Sequence, residues 1–243
     1  FLIHDDAVYI HNGKTYLVEK LDWDRRTAFV RHKVLDYYTD AESSSNVQVL
    51  QVDAETMAEG EGRLLRKCFG DVSVATVVAK FKKVKFETQE SIGYGPVTLP
   101  QLEIQTEAAW LSFERELAAE AKKRGYDLGP VLRGVANLLR HTVPLYVLCD
   151  PRDFSTWATL RSPFDQLPTI YLWDRYAGGI GIARKFFGMH QKVLRAALEM
   201  VRECPCAHGC PACIGPTLEQ EAYAKKGAMD LLAGMAGEKT RAD

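Results

Sequence analysis

The chain has 243 residues, of which 47% are apolar and 26% are charged, and these ordinary values exclude a disordered or fibrous protein. The 31 Lys and Arg residues balance 32 Asp and Glu residues. The resulting net charge of −1 excludes a globally basic nucleic-acid binder, although a local basic patch remains compatible with it.

The first hundred residues predict a β-rich segment. Asn12-Gly13 is a strong hairpin signal, and apolar strands flank it on both sides. The serine-rich residues 41–46 predict a loop, and Gly93-Tyr-Gly-Pro96 predicts a turn. Further strands are predicted over residues 27–38, 47–52, 72–86 and 97–105.

After residue 105 the apolar spacing changes to steps of three and four residues, which predicts a helix over residues 106–121. A second helix opens at Gly129-Pro130. Residues 144–149 and 169–173 predict buried strands, and helices are predicted over residues 182–201 and 217–235. The sequence therefore predicts an α+β fold, with a β-rich subdomain over residues 1–105 and an α/β subdomain over residues 106–243.

No stretch approaches the ~18 consecutive apolar residues of a membrane span, and the N-terminus lacks the features of a signal peptide. We therefore expect a cytoplasmic protein with no membrane partner. The first residue is Phe1 and not Met, so we also expect the chain to be part of a longer protein.

Four cysteines within ten residues form the strongest chemical signal, in the pattern C-x-C-x3-C-x2-C at Cys204, Cys206, Cys210 and Cys213. Four thiolates suit a tetrahedral Zn²⁺ and leave no open position for a substrate, so the predicted zinc is structural and not catalytic. An iron–sulfur cluster is the main alternative, and buried thiols or disulfides are weaker ones. His208 would replace a cysteine as a ligand only if one of the four did not bind.

Three other features suggest contacts with nucleic acid, each with a simpler structural explanation. The basic residues Lys80, Lys82, Lys83 and Lys85 suit phosphate binding, or else solubility and edge protection. Aromatic side chains suit base stacking, or else a core position. The glycine-rich turn Gly178-Gly-Ile-Gly181 suits a phosphate contact, or else a tight connection from a strand to a helix. The aromatic, arginine and glycine candidates are Tyr37, Tyr38, Arg175, Tyr176, Gly178 and Gly179.

Several sequence segments together resemble a known family. They are Val8–Asp22, Asp36–Thr39, Asp174–Gly181, the four-cysteine loop and, more weakly, Pro144–Asp150. On these segments the chain is similar to the C-terminal zinc-binding domain of the mitomycin-repair-factor helicases. These are bacterial superfamily 2 DNA helicases with RecQ4-like relatives in fungi.

The resemblance implies that the four cysteines bind zinc and that the domain helps to enclose single-stranded DNA during DNA repair, in association with the nucleoid. In that family an ATP-hydrolysing motor precedes the domain. The chain has neither a G-x-x-x-x-G-K-[ST] P-loop nor an Asp-Glu-x-His box. We therefore expect no motor or enzyme activity from this chain alone.

Two other classes of function remain open at the level of the sequence. The near-zero net charge is compatible with a protein–protein interaction module that structural zinc stabilises. A metal-dependent enzyme is the third possibility, but four thiolate ligands argue against it. The leading prediction is an accessory domain whose partners are single-stranded or partly unwound DNA and the helicase motor domains of the same parent chain.

Overall fold

The computed structural model describes residues 3–57, 64–216 and 221–236. The predicted α+β class is confirmed, since antiparallel sheets are combined with helices. The strands are β1 (Val8–His11), β2 (Lys14–Asp22), β3 (Thr27–His32), β4 (Tyr37–Met57), β5 (Leu64–Lys85), β6 (Ser91–Pro96), β7 (Leu102–Phe113), β8 (Phe154–Thr159) and β9 (Thr169–Asp174). The helices are α1 (Leu117–Lys123), α2 (Leu128–Val147), α3 (Ile182–Glu203) and α4 (Ala224–Met235).

The chain divides into two compact units. The first contains Phe1–Asn46 and Val74–Glu103, and the second contains Val47–Ser73 and Ile104–Asp243. The long strands β4 and β5 contribute residues to both units. The predicted domain boundary at residue 105 stays a prediction, and this division differs from it by assigning residues 47–73 to the second unit.

The first unit contains a three-stranded antiparallel sheet in the order β1-β2-β3. The predicted hairpin is confirmed, because His11 pairs with Lys14 across a two-residue turn. Asn12 (φ 48°) and Gly13 (φ 74°) both have the left-handed backbone that this turn requires.

Two connections predicted in the β-rich segment are wrong, since both are strands. Residues 41–46 lie inside β4, where the Ser45 hydroxyl lies 2.9 Å from the Thr76 hydroxyl. Side-chain hydrogen bonds of this kind across neighbouring strands make serine compatible with a sheet. Residues 93–96 lie in β6, which pairs with β5, and Gly95 leaves the space that the Phe81 ring occupies.

The second unit contains the antiparallel strands β7, β9 and β8 in that order, together with the four helices of the described residues. The predicted helix over residues 106–121 is wrong, because residues 108–113 form the buried end of β7. Those six residues are buried on both strand faces, and a run in which only Ser112 is polar fits a helical spacing as well as a strand. Only its end is helical, in α1.

The helix α2 extends through residues 144–147, where the sequence predicted a strand. Pro144 lies within its last turn, and the left-handed backbone of Leu148 (φ 57°) ends it. The apolar side chains of Val143 and Val147 are buried, which favours continuation of the helix into the core. The predicted strand over residues 169–173 and the long helix starting at residue 182 are confirmed as β9 and α3.

The core of the second unit packs α2, α3 and α4 against one another and against the strands. Gly227 in α4 allows close approach to α2, since a Cβ at this position would clash with Val131. The predicted last helix is α4 and begins at Ala224; residues 217–220 lie outside the described part of the chain. None of the helices described is long and apolar enough to cross a membrane.

Candidate metal centre

The four cysteines lie in the loop between α3 and α4. Cys204 ends α3, and its backbone N–H donates to the carbonyl oxygen of Met200. Gly209 has a left-handed backbone (φ 119°) and lies against Ile214, so no side chain would fit at the turn. This turn brings Cys210 and Cys213 back towards the end of α3, as the sequence spacing predicted.

The sulfur positions fit a single tetrahedral ion. The Sγ atom of Cys204 lies 3.5 Å from that of Cys206 and 3.6 Å from that of Cys210. The Sγ atom of Cys213 lies 3.6 Å from that of Cys206 and 3.7 Å from that of Cys210. Four sulfurs at about 2.3 Å from a central Zn²⁺ are separated by about 3.8 Å in an ideal tetrahedron, so the four thiolates fit zinc.

The same distances argue against the alternatives. All six cysteines are free thiols, and the sulfur separations in the loop far exceed the ~2.05 Å of a disulfide. An iron–sulfur cluster holds its thiolates on several iron atoms and needs more widely separated sulfurs. All four sulfurs lie within 4.8 Å of one another, which favours one ion.

Burial raises the pKa of the Cys213 thiol to about 12, whereas hydrogen bonding from Cys204 lowers the pKa of Cys210 to about 7. A coordinated cation deprotonates such thiols outright, so Zn²⁺ supplies the charge that four adjacent thiolates need. His208 is exposed and does not belong to the group of possible ligands.

Two side chains that the sequence did not single out hold the backbone of the loop. The Lys225 ammonium group of α4 donates hydrogen bonds to the carbonyl oxygens of Cys204 (2.7 Å) and Cys206 (2.6 Å). The Asn137 amide of α2 donates to the carbonyl oxygen of Cys213 at 2.7 Å. The loop is therefore tied to α2, α3 and α4, and bound zinc would fix these three helices at one point.

No sequence signal marked these two residues. Lys225 stands in a Lys-Lys pair of an Ala-rich helix, which is typical of a solvent-exposed face, yet it is only 8% exposed. Asn137 is one of several polar residues in the mostly apolar helix α2. Only the fold brings them to the loop.

The basic residues lie in the first unit: Lys80, Lys82 and Lys83 are in the part of β5 that pairs with β6, and Lys85 is the last residue of β5. Lys80 pairs with Glu42 at 2.9 Å, and Lys82 pairs with Asp40 at 3.1 Å. These acidic partners raise the pKa of both lysines. Half of the basic cluster is therefore neutralised by the neighbouring strand β4.

The other basic residues differ from this pair. The Lys83 ammonium lies 5.6 Å from the centre of the Tyr37 ring, so the structure brings together a predicted cation and a predicted aromatic residue. Within the described part of the chain, neither Lys83 nor Lys85 pairs with an acidic side chain. The Tyr38 hydroxyl donates to Gln89 at 2.9 Å, and its ring packs against Phe86.

The remaining candidates lie in the second unit. Arg175 and Tyr176 are exposed, and the Tyr176 hydroxyl donates to Asp153 at 3.0 Å, which raises the Tyr176 pKa. The amides of Gly178 and Gly179 donate to the carbonyl oxygens of Gln105 and Tyr176. These two amides therefore already have acceptors inside the chain.

The N-terminus of α3 also has an internal acceptor. The buried Asp174 carboxylate accepts hydrogen bonds from the backbone N–H groups of Ile180 (2.6 Å), Ile182 (3.1 Å) and Ala183 (2.8 Å). A carboxylate at this position stabilises the helix by interaction with its dipole and its unpaired amides. These contacts favour the structural explanation of the glycine-rich turn.

Comparisons with known proteins agree with the geometry of the cysteine loop. The sequence model of the MrfA Zn-binding domain family matches residues 135–214, which include all four cysteines. The ATP-dependent helicase YprA of Bacillus subtilis is 40% identical over 223 residues, which are 90% of this chain and 28% of that protein. The ATP-dependent helicase HRQ1 of Saccharomyces cerevisiae is 21% identical over 91% of this chain and 21% of its own length.

Solved structures add a match of the fold. A crystal structure of the helicase MrfA bound to DNA is 38% identical with a TM-score of 0.64, and the match covers 96% of this chain and 30% of that one. A crystal structure of MrfA is 33% identical with a TM-score of 0.63 over 95% of this chain and 30% of that one. The chain thus spans about three tenths or less of the length of these proteins. Residues 135–214 therefore match the MrfA Zn-binding domain family, with Cys204, Cys206, Cys210 and Cys213 placed to hold a structural zinc, and the predicted resemblance of the chain to the mitomycin-repair-factor helicases is confirmed.

Proposed function

We propose that the chain is an accessory zinc-binding domain of an ATP-dependent DNA repair helicase and helps to hold single-stranded or partly unwound DNA. One observation carries the proposal: a tetrahedral four-thiolate centre lies in a chain that is similar over nearly its whole length to a helicase crystallised with DNA. The sequence itself has no P-loop. The motor domains of the same parent chain are therefore its expected partner, together with DNA.

The zinc centre has a structural role in this proposal. Asn137 and Lys225 hold the backbone of the ligand loop, and the four thiolates would complete the coordination of zinc with no position left for a substrate. Structural zinc contributes on the order of 10–16 kcal/mol of apparent binding free energy. The helices α2, α3 and α4 then provide a rigid support for DNA contacts.

In the first unit we assign the DNA contact to Lys83 and Lys85, with Tyr37 beside them. Their ammonium groups have no acidic partner among the described residues, so they are available to phosphates. Lys80 and Lys82 contribute less, because each would have to leave its carboxylate partner to neutralise a phosphate. Tyr38 supplies a second aromatic ring near the end of β5, where it packs against Phe86.

In the second unit we assign the contact to the exposed Arg175 guanidinium and Tyr176 ring. The hydrogen bond to Asp153 keeps the phenol neutral and holds its ring in place, which suits stacking on a base. Gly178 and Gly179 would contribute through close approach of the backbone, since their amides already donate within the chain.

The test is fluorescence anisotropy of the zinc-loaded chain with a labelled oligonucleotide over a range of salt concentrations. We expect weak, sequence-independent binding that falls steeply with salt. Replacing Lys83→Gln and Lys85→Gln together should lower the salt-dependence slope by about 1.4, because each contact with a single strand contributes about 0.7. The matched control changes the exposed pair Lys122→Gln and Lys123→Gln in α1 and should retain the slope. Absence of binding to any oligonucleotide at low salt would contradict the proposal.

A second candidate function is a protein–protein interaction module that structural zinc stabilises. The end of α2 favours it, because Leu145 is 64% exposed and Leu148 is 88% exposed there. Binding of the chain to the separately produced motor region, measured after nuclease treatment, would support this function. Loss of that binding in a Leu145→Ser, Leu148→Ser variant would assign it to this surface.

A further inference from the structure

The three-stranded sheet of the first unit carries a row of aromatic rings that none of the predicted contacts includes. The register pairs Tyr9 with Tyr16 across β1 and β2, and Tyr16 with His32 across β2 and β3. Directly paired residues of antiparallel strands place their side chains on the same face. Tyr9, Tyr16 and His32 therefore form one row across all three strands.

The next row lies on the same face. His11 pairs with Lys14, and these residues are two positions from Tyr9 and Tyr16, so the alternation of side chains returns them to that face. We call the five residues Tyr9, His11, Lys14, Tyr16 and His32 the aromatic face.

The rings of the aromatic face are grouped and accessible. The Tyr9 and His11 rings are stacked, with centroids 6.1 Å apart, and the Tyr16 and His32 rings meet edge to face at 5.5 Å. The two tyrosines are half-buried, whereas His11, Lys14 and His32 are exposed. Part of the surface of each tyrosine is therefore open to a ligand.

Lys14 brings a positive charge to the aromatic face, which suits an anionic ligand. Two arginines of the same sheet segment are paired with acidic side chains, Arg25 with Asp22 and Arg31 with Glu19. Lys14 is exposed and is therefore accessible to a phosphate. Aromatic rings beside cations on a sheet are the arrangement that binds unpaired bases and their phosphates.

We propose that the aromatic face is a base-stacking surface for single-stranded DNA, with Tyr9 and Tyr16 as the stacking rings and Lys14 as a phosphate contact. The inference rests on the proposed function and adds a site that it does not contain. Duplex DNA does not fit this surface, because its base faces are covered by their neighbours in the stack. Unpaired bases expose those faces.

The experiment compares a labelled oligo-dT with an abasic oligomer of the same length. The two have the same phosphate charge, and only oligo-dT has bases to stack, so their affinity ratio isolates stacking. The wild-type chain should bind oligo-dT more tightly than the abasic oligomer. In a Tyr9→Val, Tyr16→Val variant this preference should fall by about tenfold or more, since each ring contributes a stacking contact. Valine retains strand propensity.

Two variants serve as comparisons. Phe29 is 54% exposed and lies in β3 on the face opposite to His32, so Phe29→Val removes a ring from the same sheet and should leave the preference unchanged. Lys14→Ala should weaken binding of both oligomers equally and lower the salt-dependence slope by about 0.7.

Equal affinity of the wild type and the tyrosine variant for oligo-dT would overturn this proposal while the proposed function stands. Failure of the wild type to bind either oligomer would overturn both. Should the tyrosine variant not fold, photo-crosslinking of 5-iodouracil oligonucleotides to the wild-type chain decides the question. Crosslinks at Tyr9 or Tyr16 support the aromatic face, and crosslinks confined to other residues overturn it.

Discussion

Lys225 provides a direct test of how the fold supports the metal centre. The change is Lys225→Met, which retains a long apolar stem in the buried position and removes the ammonium group. The carbonyl oxygens of Cys204 and Cys206 then lose donors at 2.7 and 2.6 Å. The thiolates of those same residues are zinc ligands, so the change acts on the ligand loop without altering any ligand.

The magnitude follows from two estimates. A hydrogen bond from a charged donor contributes about 1.5–3 kcal/mol, so losing both costs at most roughly 3–6 kcal/mol. Much of this free energy is lost in the zinc-free chain as well as in the zinc-bound chain, and that part does not change the zinc affinity. Loss of an outer-shell partner typically weakens metal binding about 10- to 100-fold. A lysine beside four thiolates also offsets their excess negative charge. We therefore expect the Lys225→Met variant to bind zinc about 10- to 100-fold more weakly than the wild type.

The assay is competition for zinc with a chromogenic chelator, together with thermal unfolding of the zinc-loaded and zinc-free chains. Lys226→Met is the matched control, since Lys226 is the neighbouring residue and is exposed. It should bind zinc as the wild type does. If Lys225→Met bound zinc with wild-type affinity and lowered only the unfolding temperature, Lys225 would support the fold of the loop and not the metal.

Three further predictions concern the metal and the packing of the second unit. Cys206→Ser should release zinc and lower the unfolding temperature, whereas full retention of the metal in elemental analysis would implicate His208 as a ligand. The wild type should carry one zinc per chain and lack the absorption near ~400 nm of an iron–sulfur protein. Asp174→Asn removes the charge and one of the two acceptor oxygens that cap α3, so chemical denaturation should show a loss of about 2 kcal/mol or more. Gly227→Ala should cost about 1–3 kcal/mol because its Cβ would clash with Val131 of α2. Gly188→Ala in α3 has open space and should raise stability by up to about 1 kcal/mol in the same thermal assay, since alanine favours a helix over glycine.

The sequence was most informative where a signal depends on residues close together in the chain. The spacing of four cysteines within ten residues predicted the metal centre, because such a loop needs only one turn to gather its ligands. Asn12-Gly13 predicted the hairpin for the same reason, since two left-handed residues define that turn. The segments 169–173 and 182–201 each had one unambiguous apolar pattern.

Features that depend on distant partners were not predictable. Residues 106–113 were assigned to a helix, because burial on both strand faces erases the alternation that identifies a strand. The strand β8 was missed altogether. Lys225 and Asn137 gain their role only when α4 and α2 pack against the cysteine loop. Lys80 and Lys82 looked like free cations until β4 placed carboxylates opposite them.

The attachment of one loop to three helices links the stability of the second unit to the supply of a trace metal. A ligand that binds only the folded state stabilises it in proportion to the logarithm of its free concentration. Above the dissociation constant, each tenfold rise in free zinc therefore adds about 1.4 kcal/mol to the free energy of unfolding. In zinc-starved cells the helices would open and expose their apolar faces to proteolysis.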